Sequence, residues 1–224
     1  MPNPLRKIHD DIAYILPMAV FLLLTGAAGK WPDAYPLIYL VKTILTAAAL
    51  IVLWPNFTKI RWNHWWLGLI LGVVGIFQWI GMQLLLQKYF PFFRPSGEAF
   101  NPLTYFHDNG MRNAFIGVRL IGAVLVVPVM EELFWRDFLW RQILAPNDFK
   151  LAAVGEWGWA PFLIVAGAFS TVHGNWMPTA IVWGIMIGAL LVYTKSLGAC
   201  IVMHATTNLL LGLYVLHTHD WSFW

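Results

Sequence analysis

Charge is scarce in this chain. Asp, Glu, Lys and Arg make up 11% of its 224 residues, against about 25% in a soluble domain. Hydrophobic residues make up 59%, and the mean hydropathy is +0.65. A water-soluble domain is excluded, and the composition is that of a polytopic membrane protein. The net charge is only +3. Its Lys and Arg residues scatter at the ends of apolar runs without forming a stripe, so no nucleic-acid surface is expected. Cysteine is reduced to Cys200, which excludes a disulfide framework and a cysteine-rich metal site. Cys200 sits in an apolar run and reads as a small core residue. No internal repeat and no second domain is visible. The chain reads as one membrane domain over 1–224, with variable N-terminal helices and a surface segment over 1–110 and motif-bearing helices over 111–216.

Aromatic residues are abundant, with 14 Trp and 15 Phe. Trp31, Trp54, Trp62, Trp65, Trp66, Trp221 and Trp224 lie near the ends of apolar runs, where an amphipathic ring suits the headgroup region. Arg6 and Lys7 followed by an apolar run resemble a signal peptide, but the further spans favour an uncleaved first helix over 11–28. Further helices are predicted over 36–54, 65–86, 112–144, 159–173, 179–194 and 199–216. The expected fold is therefore all-α: a polytopic transmembrane helical bundle of about seven membrane helices. Glycines 68, 72 and 75 suit close helix packing, and Gln78 and Gln83 suit interhelical hydrogen bonds. Lys42 is expected near a helix end or facing a polar interior. The aromatic segment 88–110 is expected on the membrane surface or over the bundle. The Lys and Arg distribution favours a cytoplasmic N-terminus.

The stretch over 112–144 needs about 50 Å as a helix, more than the roughly 30 Å of hydrocarbon. It must tilt, bend or protrude, and Pro128 supplies a bend. This long bent helix carries Glu131 and Glu132, adjacent carboxylates in a very apolar setting. Glu132 and Arg136 are spaced i,i+4 and can pair, whereas Glu131 faces about 100° away. Two more pairs with the same spacing follow, Phe169 with His173 and His204 with Asn208. Taken singly, these are a structural ion pair, a hydrogen-bonded core histidine and interhelical glue. Taken together, intramembrane ionisable groups are candidates for function.

The set suits peptide hydrolysis. A carboxylate in a dry pocket can act as general base toward water, a histidine can hold that water, and a second histidine with an asparagine amide can stabilise an oxyanion. No base, nucleophile and orienting group are arranged around Ser170 or Thr171. Glu131, His173 and His204 are also three ligands of the kind catalytic zinc takes, although no compact His-x-x-x-His helix is present. A third alternative is a non-catalytic membrane immunity or scaffold protein, or a small transporter.

Glu131-Glu132-Leu133-Phe134-Trp135-Arg136, then Phe169-Ser170-Thr171-Val172-His173, then His204-Ala205-Thr206-Thr207-Asn208 resembles the ordered motif trio of the CAAX protease and bacteriocin-processing family. These are intramembrane glutamate endopeptidases. The resemblance covers about Val118 to Leu216, and the size is also similar to the branch of CAAX-protease-related proteins found beside exosortase systems. It implies that Glu131 and His173 activate water and that His204 and Asn208 stabilise the oxyanion. Glu132 and Arg136 would be supports, and Phe169 would shape the pocket. It implies no cofactor, a membrane-embedded or lipidated peptide as substrate and, from the likeness in length and span number to prokaryotic members, a prokaryotic inner membrane as location. Span counting puts Glu131 and His204 nearer one membrane face and His173 nearer the other. A single site therefore requires the fifth helix to end deep in the bundle.

Overall fold

Lipid offers a backbone no hydrogen-bond partners, so apolar runs must satisfy their own amides as helices. In the computed structural model, which describes residues 4–95 and 99–224 (residues 4–9 by their backbone), the helices are α1 Pro4–Lys30, α2 Tyr35–Leu53, α3 Trp65–Tyr89, α4 Asn109–Leu144, α5 Trp159–Thr171, α6 Met177–Thr194 and α7 Leu197–Thr218. No strand occurs among the described residues. Among them, α1, α2, α3, α4, α6 and α7 are long and apolar enough to cross a membrane. The chain is an all-α polytopic integral membrane protein. All seven predicted helices form, but α5 has 13 residues. At about 20 Å it is too short to cross the hydrocarbon.

Local chemistry sets the helix ends. Pro36 and Pro178 stand in the first two positions of α2 and α6, where a missing N–H breaks no helical bond. The Asp108 side chain accepts from the Met111 amide to cap α4, and the Ser196 hydroxyl accepts from the Ala199 amide to cap α7. α4 is not α-helical throughout. Residues Gly122–Val126 and Leu133–Leu139 form π-helical turns. The first lies just before Pro128, whose ring would clash with the carbonyl four residues back at Val124. A wider turn relieves that clash.

The residues group into two compact units, Met1–Lys59 with Phe100–Phe134, and Ile60–Ala99 with Trp135–Trp224. In the first unit, α1 packs on α2, and α2 packs on the first part of α4. A Cβ at Gly122 would lie 3.0 Å from the Thr43 hydroxyl, so any larger residue would require the Thr43 side chain to shift. Tyr35, Phe100, Phe106 and Phe115 form an aromatic cluster, with Tyr35 and Phe100 centroids 4.7 Å apart and Phe106 and Phe115 5.4 Å apart. Lys42 is buried. Its ammonium donates to the Thr25 hydroxyl at 3.1 Å and lies 4.3 Å from the Phe21 ring and 4.5 Å from the Tyr39 ring.

In the second unit, α3 lies against α7 along the predicted glycine face. A Cβ at Gly68 would stand 2.2 Å from the Ala199 carbonyl oxygen, and one at Gly72 would stand 2.7 Å from that of Met203. The predicted glutamine bonds also form: Gln78 donates to the Thr179 carbonyl, and the Thr179 hydroxyl donates to the Gln83 amide oxygen at 2.8 Å. α5 packs on α6 where Gly184 would bring a Cβ to 3.3 Å from the Ala166 Cα. Of the aromatic segment 88–110, residues 96–98 lie outside the described ones. Its Phe93 carbonyl accepts from Gln83, and its Arg94 carbonyl accepts from Asn175.

Candidate active site

The short α5 decides where His173 lies. Helical bonding stops at Thr171, and the chain turns through Gly174, whose φ of +54° suits glycine. His173 therefore follows directly on a helix of under four turns. Its Nδ1 is 2.8 Å from the carbonyl oxygen of Phe169. A carbonyl can only accept, so Nδ1 carries the proton. In the neutral ring the lone pair then sits on Nε2. The Phe169 and His173 rings are in contact, with centroids 4.4 Å apart.

His204 and Asn208 come from α7, one turn apart. His204 is buried and Asn208 half-buried. They share a cavity with His173. Its volume is about 30 Å³, and it is lined by Trp79, Phe169, His173, Trp183, His204, Thr207, Asn208 and Leu211. That is room for one water molecule, or for one carbonyl group. The second unit thus unites four predicted residues, Phe169, His173, His204 and Asn208, around one small space. The sequence-derived conflict between the depths of His173 and His204 is resolved by the length of α5.

Aromatic rings wall this space. Trp183 is 4.9 Å from His204, roughly edge to face, and stacks on Phe169 at 5.4 Å. Trp79 is 5.6 Å from His173. Arg136 places its guanidinium carbon 4.6 Å from the Phe169 ring centre and 5.8 Å from that of Trp183, a cation–π arrangement that a desolvated setting strengthens to about 2 kcal/mol. Arg136 is thereby tied to the ring that also meets His173.

Glu131 and Glu132 belong to the first unit, at the end of the helical segment Val127–Glu132. Both are buried, Glu132 completely. The π-helical turns begin at the next residue, so hydrogen bonds over 133–139 run i→i+5. Among the described residues, no three His, Cys, Asp or Glu side chains are grouped in a way that could hold a metal ion.

Residues 113–210 match the family model described as Type II CAAX prenyl endopeptidase Rce1-like. This segment belongs to the CAAX protease family. It covers a little under half of the chain and contains all three polar motifs. The family marks the chain as a membrane protease, a hydrolase. The match does not reach the exosortase-associated branch. No curated protein and no solved structure matches the chain.

Two features of the CAAX protease segment lie outside the predicted site. Asp137 and Arg141 form a buried ion pair at 2.5 Å. Arg141 also donates to the Ala152 carbonyl at 2.8 Å, tethering the connection to α5. Their i,i+4 spacing, equal to that of Glu132 and Arg136, is the sequence signal for this pair. Trp183 is the other. It is 2% exposed, lines the cavity, and its indole N–H has no hydrogen-bond partner among the described residues. Leaving such a donor unsatisfied costs about 1–3 kcal/mol. Nothing in the sequence distinguishes it among 14 tryptophans.

Proposed function

We propose that the protein is an intramembrane glutamate endopeptidase that hydrolyses a peptide bond of a membrane-embedded or lipidated substrate without a metal. Glu131 removes a proton from a water molecule, and the hydroxide oxygen attacks the scissile carbonyl carbon. His173 accepts a hydrogen bond from that water through Nε2, with its ring held by the Phe169 carbonyl. His204 and Asn208 donate to the oxyanion as the carbonyl bond opens. Collapse of the intermediate expels the amine, which takes up the proton that Glu131 removed. Glu132 and Arg136 are supports, and Phe169 is the plate between Arg136 and His173.

One observation carries this reading: a histidine with a fixed tautomer and an oxyanion-type histidine–asparagine pair line a single water-sized cavity. Donors placed where charge develops are worth most in a site that excludes bulk water. The family match spans all four proposed catalytic positions. The apolar rings lining the cavity suit a substrate that arrives from the bilayer.

The test uses purified protein in detergent and an internally quenched peptide carrying a farnesylated cysteine three residues from its C-terminus. A single-span apolar peptide serves as the second substrate. Glu131→Gln and His173→Ala are expected to abolish cleavage while thermal unfolding stays near that of the parent. Full cleavage by either variant, or none by the parent on either peptide, refutes the reading.

A further inference from the structure

The Trp183 indole N–H is a buried donor at the cavity wall with no hydrogen-bond partner among the described residues. Its position is fixed by Gly75 on α3. A Cβ built at Gly75 would lie 3.0 Å from Trp183 Nε1 and 2.9 Å from the Thr207 hydroxyl oxygen. The pyrrole edge of the indole therefore lies against α3 at Gly75, close to Thr207, which lines the cavity one residue before Asn208 on α7. The Thr207 hydroxyl lies 3.1 Å from the Gly72 carbonyl oxygen and 3.0 Å from that of Met203, and donates to these backbone acceptors. Its proton is thus directed to the backbone, while the Trp183 proton has no acceptor among the described residues. Indole N–H is a donor only and does not titrate near neutrality. It suits an oxygen that gains negative charge, and it would offer nothing to a substrate amine.

We propose that Trp183 is a further catalytic residue, its indole N–H donating a hydrogen bond to the scissile carbonyl oxygen beside His204 and Asn208. The proposal rests on the endopeptidase reading above and deepens it. The indole holds its orientation because Phe169 stacks on it and His204 meets it edge to face, so the donor is preorganised before substrate arrives. A preorganised donor does not reorient during the reaction, so its contribution falls on the chemical step.

The obvious alternative is a packing role, and two variants separate them. Trp183→Phe removes the donor and part of the ring. Trp183→benzothienylalanine keeps the two-ring shape and replaces the N–H with sulfur. Each is compared with the parent, Glu131→Gln and His173→Ala on the farnesylated peptide. The expected result is a drop in kcat of about 100-fold for the benzothienylalanine protein, the usual order for one oxyanion donor. KM should stay unchanged, and the unfolding temperature should not fall, because an unsatisfied donor is removed. Parental kcat in the benzothienylalanine protein overturns the role of Trp183, as does a change confined to KM, and both leave the endopeptidase reading standing if Glu131→Gln and His173→Ala are inactive. Should those two variants cleave, the reading falls and the role of Trp183 falls with it.

Discussion

The glycine face of α3 yields a graded test of how the second unit is held together. A Cβ at Gly68 would meet only backbone: the Ala199 carbonyl oxygen at 2.2 Å, its carbon at 3.1 Å and the Met203 nitrogen at 3.2 Å. No rotamer change relieves such contacts, so α3 and α7 must separate. At Gly75 the nearest atoms are the ends of the Thr207 and Trp183 side chains, at 2.9 and 3.0 Å, and at Gly81 nothing lies within 4 Å. Ala gains up to about 1 kcal/mol over Gly in a helix interior, and that gain applies to Gly68→Ala and Gly81→Ala alike. The difference between the two variants isolates the steric cost. Overpacking of this kind costs about 1–3 kcal/mol, and each kcal/mol lowers Tm by about 2–4 °C at this chain length.

Cys200 is the natural reporter. It is the only cysteine, it is buried, and it follows Ala199 directly on α7. A thiol-reactive dye should label it only when α7 is released. Gly68→Ala is expected to label about 2–12 °C below Gly81→Ala. Gly75→Ala should unfold near Gly81→Ala yet lose activity, because its strain falls on the Thr207 and Trp183 side chains at the cavity. Equal labelling temperatures for Gly68→Ala and Gly81→Ala would refute the tight α3–α7 contact.

Three further outcomes follow from particular contacts. Asp137→Asn leaves Arg141 as a buried cation without its carboxylate, and stability measured by the same Cys200 labelling is expected to fall by about 3–5 kcal/mol; Asp137→Leu combined with Arg141→Met should recover most of that loss. Thr179→Val removes the donor to Gln83, and since hydrogen bonds between membrane helices average about 0.6 kcal/mol, Tm is expected to drop by about 1–2 °C, with a larger fall refuting the assignment. Dialysis against a chelator is expected to leave peptide cleavage unchanged, and activity lost to chelation and restored by zinc would refute the metal-free reading.

Much of the fold was legible because lipid imposes simple rules. Six of the seven predicted helices form as long apolar helices, and the glycine face and the Gln78 and Gln83 partners follow from residue type and spacing. Phe169, His173, His204 and Asn208, which line one cavity, were legible as candidates because paired polar groups at i,i+4 spacing are conspicuous in so apolar a chain. What the sequence hides depends on backbone bonding and depth. No residue type marks the π-helical turns at Gly122–Val126 and Leu133–Leu139; they arise from a choice between i→i+4 and i→i+5 bonds. Trp183 reads as one more aromatic residue of a spanning helix, and only its position against Gly75 and His204 sets it apart. Asp137 is a different case, since its i,i+4 relation to Arg141 is visible in the sequence.

The spacing of Phe169 and His173 has a physical reason beyond a shared helix face. Near the C-terminus of α5, the last carbonyls have no amide above them. The His173 backbone amide turns in to Ser170, closing the last turn at 3.0 Å, and the His173 ring donates to the Phe169 carbonyl at 2.8 Å. One side chain thus satisfies an exposed helix end and fixes its own tautomer. The same i,i+4 step puts the two rings 4.4 Å apart, with Arg136 on the Phe169 ring. If α5 were a full turn longer, the carbonyl of Phe169 would accept a backbone amide, and the histidine would lose its anchor and its depth. The short helix and the fixed tautomer thus share one cause: the unfinished C-terminus supplies the acceptor for Nδ1 and leaves the lone pair on Nε2, the atom that the proposed mechanism uses.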